Sequence, residues 1–162
     1  MFTIGEIVDL AIRIEKNGEK IYRKAGKEIA NPSLSSLLEW LADEELEHEK
    51  WFLQLREKGE TEEKIPQLEE MGKEILRSVL GDQAFSMSDM DFSKVEEVND
   101  LLFRSLEFEK DTILFYEMLG KFIDDVETNR QLGRIIEEEQ RHVELLEGFL
   151  EKGEVPKRGE PG

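Results

Sequence analysis

The chain holds two histidines, His48 and His142, and each follows a glutamate by three residues, Glu45 and Glu139. On a helix an i,i+3 pair lies about 4.5 Å apart along the axis and about 60° apart around it, so both members can reach neighbouring positions around one ion. The two pairs are 94 residues apart, and the same offset relates Glu15 to Glu109 and Tyr22 to Tyr116. It also relates Lys16 to Lys110, Gly26-Lys27 to Gly120-Lys121, Leu38 to Leu132, Glu44 to Glu138 and Glu57-Lys58-Gly59 to Glu151-Lys152-Gly153. Glutamate three residues before histidine is a weak signal in so acidic a chain. The shared offset decides it: six potential ligands in two superimposable halves are the signature of a two-metal site built by an internal repeat.

Four carboxylates gathered in an interior cannot all stay ionised without compensation, because isolated buried charge costs several kcal/mol per ion. Two divalent cations balance four glutamates, and two neutral imidazoles complete the coordination without adding charge. Carboxylates with one nitrogen per metal suit iron or manganese rather than structural zinc, which prefers closed sites richer in thiolate and imidazole. Open positions then remain for a small oxidant, and two ions sharing carboxylates can change charge together, as two-electron reduction of peroxide or dioxygen requires. Tyr22 and Tyr116, two helical turns beyond Glu15 and Glu109, are placed to hydrogen-bond ligand carboxylates across the bundle. The competing readings are structural ion pairs for the six ligands and ordinary core aromatics for the tyrosines. Glu19 and Glu44 would become ligands only on a rotated helix and otherwise belong to solvent or to the surroundings of the site. Trp40 and Trp51 read as packing, and Met87 and Met90 as loop packing.

The elements that must position these groups are helical almost throughout. A first helix runs from about Thr3, with Thr3 and Glu6 at capping-box spacing, to about Ile29. Asn31-Pro32 opens a second that reaches about Lys58 and stops at Gly59; a third begins near Ser93 and runs to about Ile123; a fourth follows Asp124 and ends at Lys152-Gly153. Apolar steps of three and four place Glu45 and His48 within the stripe Leu34, Leu38, Leu41, Phe52, Leu55, and Glu139 and His142 within Leu132, Ile135, Leu146, Phe149. The first helix gives Val8, Ala11, Glu15, Gly18, Tyr22 and the third Leu102, Ser105, Glu109, Thr112, Tyr116, so every helix points acid inward at mid-length. The expected fold is all-α: two repeated antiparallel hairpins, about 3–59 and 93–153, forming a four-helix bundle in a single domain, 1–153. Residues 60–92 form a long crossover containing a short amphipathic helix marked by Leu68, Met71, Ile75 and Val79. Residues 81–92 read as loop and 154–162 as a frayed tail.

With 162 residues the chain can bury a core without staples. It has no cysteine, which excludes disulfides and iron–sulfur or rubredoxin-type centres on this polypeptide, so an electron donor must be a separate molecule. No basic, apolar leader opens it and no apolar run approaches the roughly 20 residues of a membrane span, so a cytoplasmic location is expected. A formal charge of −17 with no basic stripe argues against nucleic acid.

The constellation of paired Glu-x-x-His with two isolated glutamates resembles the ferritin-like di-iron carboxylate superfamily, and within it the rubrerythrin-like branch; that superfamily's pattern of one Glu from each of two helices and Glu-x-x-His from each of the other two is the one present here. The resemblance spans both hairpins. It implies two irons, with Glu45 and Glu139 bridging them, Glu15 and Glu109 as terminal ligands, and His48 and His142 each serving one iron. It further implies an oxidoreductase that reduces hydrogen peroxide or dioxygen with electrons from a separate donor such as a rubredoxin, in oxidative-stress defence. Rubrerythrins carry a second glutamate one turn from the ligand on the third helix, where this sequence has Leu106 and Thr112 on either side of Glu109. The alternatives are a ferritin-like protein that oxidises and holds ferrous iron and a di-manganese catalase-like enzyme. By analogy, small bundles of this class pair as homodimers.

Overall fold

Long runs without internal proline, with apolar residues every three or four positions, fold as the helices the sequence calls for. The computed structural model describes residues 4–58, 66–76 and 93–152. They form α1 (Ile4–Glu28), α2 (Pro32–Lys58), α3 (Pro66–Leu76), α4 (Val95–Gly120) and α5 (Val126–Lys152). Helices α1 and α2 make one antiparallel hairpin and α4 and α5 the other, while α3 lies against α1 and α4. No helix among the described residues is long and apolar enough to cross a membrane. Thr3, Gly59, Val79, the 81–92 loop with Met87 and Met90, and the 154–162 tail lie outside the described residues.

The two hairpin turns repeat each other with different residues. Asn31 Oδ1 accepts the Leu34 N–H at 3.1 Å, and Pro32 sets the first turn of α2. Asp125, 94 residues on, accepts the Thr128 N–H at 2.8 Å. Ser35 Oγ donates to the Gly26 carbonyl at 2.5 Å; its counterpart Asn129 donates through Nδ2 to the carbonyls of Gly120 and Ile123, at 2.8 and 2.7 Å. The third long helix differs from expectation at both ends. It starts at Val95, two residues after Ser93, with Lys94 as its N-cap and no side-chain capping bond. Its α geometry ends at Gly120, and i→i+3 bonds from Lys121, Phe122 and Ile123 carry the chain on to Ile123 as a tightened turn.

The core divides into two apolar layers. One gathers Ile7, Val8 and Ile14 of α1, Phe52 of α2, Phe115 and Leu119 of α4, and Leu132 and Ile135 of α5. The other gathers Ala25 and Ile29, Leu34, Leu38 and Leu41, Leu101 and Leu102, and Leu145, Leu146 and Phe149. These memberships put the start of α1 beside the end of α2, the end of α4 and the start of α5, so the crossover returns the chain along the bundle. Each such valine, leucine, isoleucine or phenylalanine contributes about 1.5–3 kcal/mol on burial, and the sum offsets the cost of the polar layer held between them. Surface pairs such as Arg56–Asp9 at 3.0 Å and Arg104–Asp100 at 2.9 Å contribute about 0–1 kcal/mol each and decide little. Helix α3 approaches closely through Gly72: a Cβ there would lie 2.8 Å from Leu10 Cδ1 and 3.1 Å from the Phe115 ring. Met71 packs on the same layer.

Candidate metal centre

Between the two apolar layers, the mid-length acids and imidazoles of all four long helices meet. Glu15, Glu45, His48, Glu109, Glu139 and His142 are all buried, none more than 3% exposed. Their ligand atoms fall into two overlapping groups, each within 4.8 Å: Glu15, Glu45, His48 and Glu139, and Glu45, Glu109, Glu139 and His142. Glu45 and Glu139 belong to both. His48 points Nδ1 inward, 2.6 Å from Glu139 Oε1 and 3.5 Å from Glu15 Oε1. His142 does the same, with Nδ1 at 3.2 Å from Glu45, 3.5 Å from Glu139 and 3.6 Å from Glu109.

These inward atoms converge without bonding one another. Both Nδ1 atoms, both oxygens of Glu139, Oε1 of Glu45 and Oε2 of Glu15 and Glu109 are buried and lack an aligned hydrogen bond, the 2.6 Å His48–Glu139 approach included. A buried polar group left so costs about 1–3 kcal/mol, more when charged. Two cations shared between Glu45 and Glu139 would satisfy every one of them, and the donor set, four carboxylates and two imidazole nitrogens, fits two divalent ions in charge and number. Proximity by itself does not separate a metal site from a knot of ion pairs, and the convergence of unpartnered atoms is consistent with a dinuclear metal site.

The outward atoms are held. Tyr22 donates to Glu109 Oε1 and Tyr116 to Glu15 Oε1, each at 2.6 Å, so each phenol grips the lone glutamate of the other hairpin. The outer nitrogen of His48 lies 3.4 Å from Glu138 Oε2, and that of His142 lies 3.7 Å from Glu44 Oε1, again across the hairpins. On His48 a carboxylate at Nε2–H favours the tautomer that leaves Nδ1 free for metal, whereas the outer nitrogen of His142 is buried without a hydrogen-bond partner. Glu138 was not foreseeable from its own position on an acidic helix; its one signal is the repeat partner Glu44. Gly18 makes room for a carboxylate: a Cβ there would meet Glu45 Oε2 at 3.2 Å. Its counterpart Thr112 is buried with an unpartnered hydroxyl, and no seventh carboxylate joins the two groups among the described residues. Glu19 stands apart, paired with Arg23 at 3.0 Å. Trp51 packs on Phe52 and donates to Gln131 at 2.8 Å. Trp40, 42% exposed, lies edge-on to the His142 ring at 5.6 Å rather than in a core.

Residues 6–88 match the model of the Rubrerythrin family, a stretch that takes in α1, α2 and α3 with Glu15, Glu45 and His48. The chain belongs to the rubrerythrin family. Among solved structures, a protein from Thermotoga maritima described as a ferritin-like diiron-carboxylate protein shares the fold, with a TM-score of 0.68 over 94% of this chain and 97% of that one at 20% identity. No curated protein matches the chain in sequence. In this member of the rubrerythrin family, the groups of the polar layer shift one another's proton affinity. Burial, with Glu109 and Glu139 nearby, raises the Glu45 carboxyl well above its usual range, and burial with Glu139 raises Glu109 to about 7. Burial and Glu15 push Glu139 upward too, but contact with Glu109 and the two imidazoles outweighs them and holds it at about 2. Burial alone would depress the imidazoles. Glu15 and Glu139 around His48, and Glu139 and Glu109 around His142, overcome it and raise both.

Proposed function

We propose that this rubrerythrin-family protein is a di-iron oxidoreductase that reduces hydrogen peroxide with electrons from a separate donor. The observation that carries the reading is the pair of four-residue groups that share Glu45 and Glu139 and point two unpartnered Nδ1 atoms inward. Glu15 and His48 would hold one iron, Glu109 and His142 the other, and Glu45 and Glu139 both. A bound iron pair supplies two electrons at one place, which with two protons convert one hydrogen peroxide into two waters. The chain's own part is to fix the geometry and exclude competing ligands. The crossed tyrosines hold Glu15 and Glu109 so that one oxygen of each faces inward, Glu138 orients the His48 imidazole, and the two apolar layers keep bulk water from both ends. With no cysteine in the chain, re-reduction falls to another molecule, for which a rubredoxin-type protein is the expected class.

Anaerobic metal-free protein titrated with ferrous iron should saturate at two irons per chain and then oxidise much faster with peroxide than with air. Continued uptake of many irons in air would replace this reading with iron storage, and turnover supported by manganese but not iron would replace the metal. Glu139→Ala should lose paired binding altogether. Equal metal content in Glu139→Ala and parent would sink the assignment of ligands.

A further inference from the structure

The repeat that builds the centre is broken on its outside, and always in the same direction. Trp40 and Arg134 occupy equivalent places, as do Leu37 and Gln131, and Leu145 and Trp51. On the His142 side the set is Trp40, Leu37 and Leu145: the Trp40 ring meets the imidazole edge-on at 5.6 Å and an interplanar angle of 79°, both leucines are buried, and His142 is fully buried. On the His48 side the set is Arg134, Gln131 and Trp51, and there a cavity of about 190 Å³ opens between α2 and α5. Its rim carries the exposed Glu47 and Arg134, and its lining reaches His48 and Glu138. The two halves therefore present the same acids and imidazoles behind different walls, one closed by an indole and two leucines and one lined largely by groups that donate and accept hydrogen bonds.

A cavity of this size holds several waters at about 30 Å³ of liquid volume each, and no protein side chain of a partner need enter it. A small molecule that both donates and accepts can replace such waters at little cost, whereas one that makes no hydrogen bonds cannot reproduce them. We propose that this cavity is the route by which a small hydrogen-bonding oxidant of the size of hydrogen peroxide reaches the centre, that it arrives on the side held by Glu15 and His48, and that Arg134 receives it at the rim. The identity of the oxidant rests on the peroxide reading above; the openness of this face does not.

The two histidines make the test direct, since the chain has no others. In full-length metal-free protein, with helix content checked by circular dichroism and rates followed across pH so that protonation of the imidazoles is separated from access, diethyl pyrocarbonate should acylate His48 about tenfold faster than His142. Arg134→Trp, which copies the sealed side, should bring His48 down to the His142 rate, and Trp40→Arg should raise His142. Equal rates for the two histidines in the parent would overturn the proposal, as would an Arg134→Trp variant that labels like the parent. In iron-loaded protein at equal metal content, Arg134→Trp should slow oxidation by peroxide about tenfold, and an unchanged rate would show that the oxidant travels elsewhere. A parent centre inert toward peroxide would remove the peroxide reading and the oxidant assigned here, while the labelling pattern would still decide whether this face is open.

Discussion

Each phenol in the polar layer serves the opposite hairpin, so the loss of one hydroxyl should be felt at one metal position. Tyr22→Phe keeps the ring in the core and removes the 2.6 Å bond to Glu109. A hydrogen bond to a charged group contributes about 1.5–3 kcal/mol, and losing such a support weakens metal binding by about ten- to a hundredfold. Calorimetric titration should still count two ions per chain, with the weaker of the two steps displaced by that factor; a parent-like isotherm would leave Tyr22 a packing residue. Gly18→Ala separates helix from site. Alanine favours the helix by about 0.5–1 kcal/mol over glycine, yet its Cβ would press on Glu45 Oε2 at 3.2 Å. Metal affinity should fall while Gly133→Ala, which meets nothing within 4 Å, stabilises the protein and leaves affinity alone. If both substitutions behave alike, the Gly18 contact is unimportant. The six acids and imidazoles that meet in the polar layer, and the two tyrosines, were legible in the sequence because the 94-residue offset ties each to a twin. The offset ties Glu138 to Glu44 as well, but the role of Glu138 was not legible, because its contact is with His48 of the opposite hairpin.

At the scale of elements, buried faces were readable and boundaries were not. The four stripes follow the helical period and all their central members are buried, since turning a long apolar face outward would cost many kcal/mol. A capping bond is worth about 1 kcal/mol, too little for the pattern of Ser93 with Glu96 to fix a boundary, and α4 starts at Val95. Proline made the first hinge visible at Asn31-Pro32; in the second, two adjacent aspartates gave no such preference, and Asp125 rather than Asp124 caps α5. The equivalent turns differ in one testable respect. Ser35 makes one bond to the preceding helix end and Asn129 makes two, both in partly buried surroundings. Ser35→Ala should cost about 0.5–1.5 kcal/mol and Asn129→Ala roughly twice that, read as a shift in urea midpoint at constant m-value. Equal shifts would mean that the second Asn129 bond contributes nothing.

The whole molecule is a polar layer held between two apolar ones, and its stability without metal must depend on pH. Glu45 and Glu109 bind protons more tightly in the folded chain than in the unfolded one, Glu109 moving from 4.5 to about 7. His48 and His142 also rise above their ordinary 6.5, driven by the carboxylates against the opposing effect of burial. For all four groups the native state holds more protons across the interval between the unfolded and folded values, so stability falls as pH rises through it. Glu139, held at about 2, acts in the opposite sense but below 4.5, outside this window. Metal-free protein should therefore melt at progressively lower temperature from about pH 5 to pH 8, because deprotonation leaves buried carboxylates facing one another without compensation. Loading two divalent ions should displace those protons, flatten the profile over the same range and release protons measurably at neutral pH. Thermal unfolding of the two forms in parallel across pH 5–8 checks both halves of the argument. A metal-free profile as flat as the loaded one would mean that the four carboxylates are already neutralised by pairing within the bundle, and that the polar layer holds together without the ions its geometry fits.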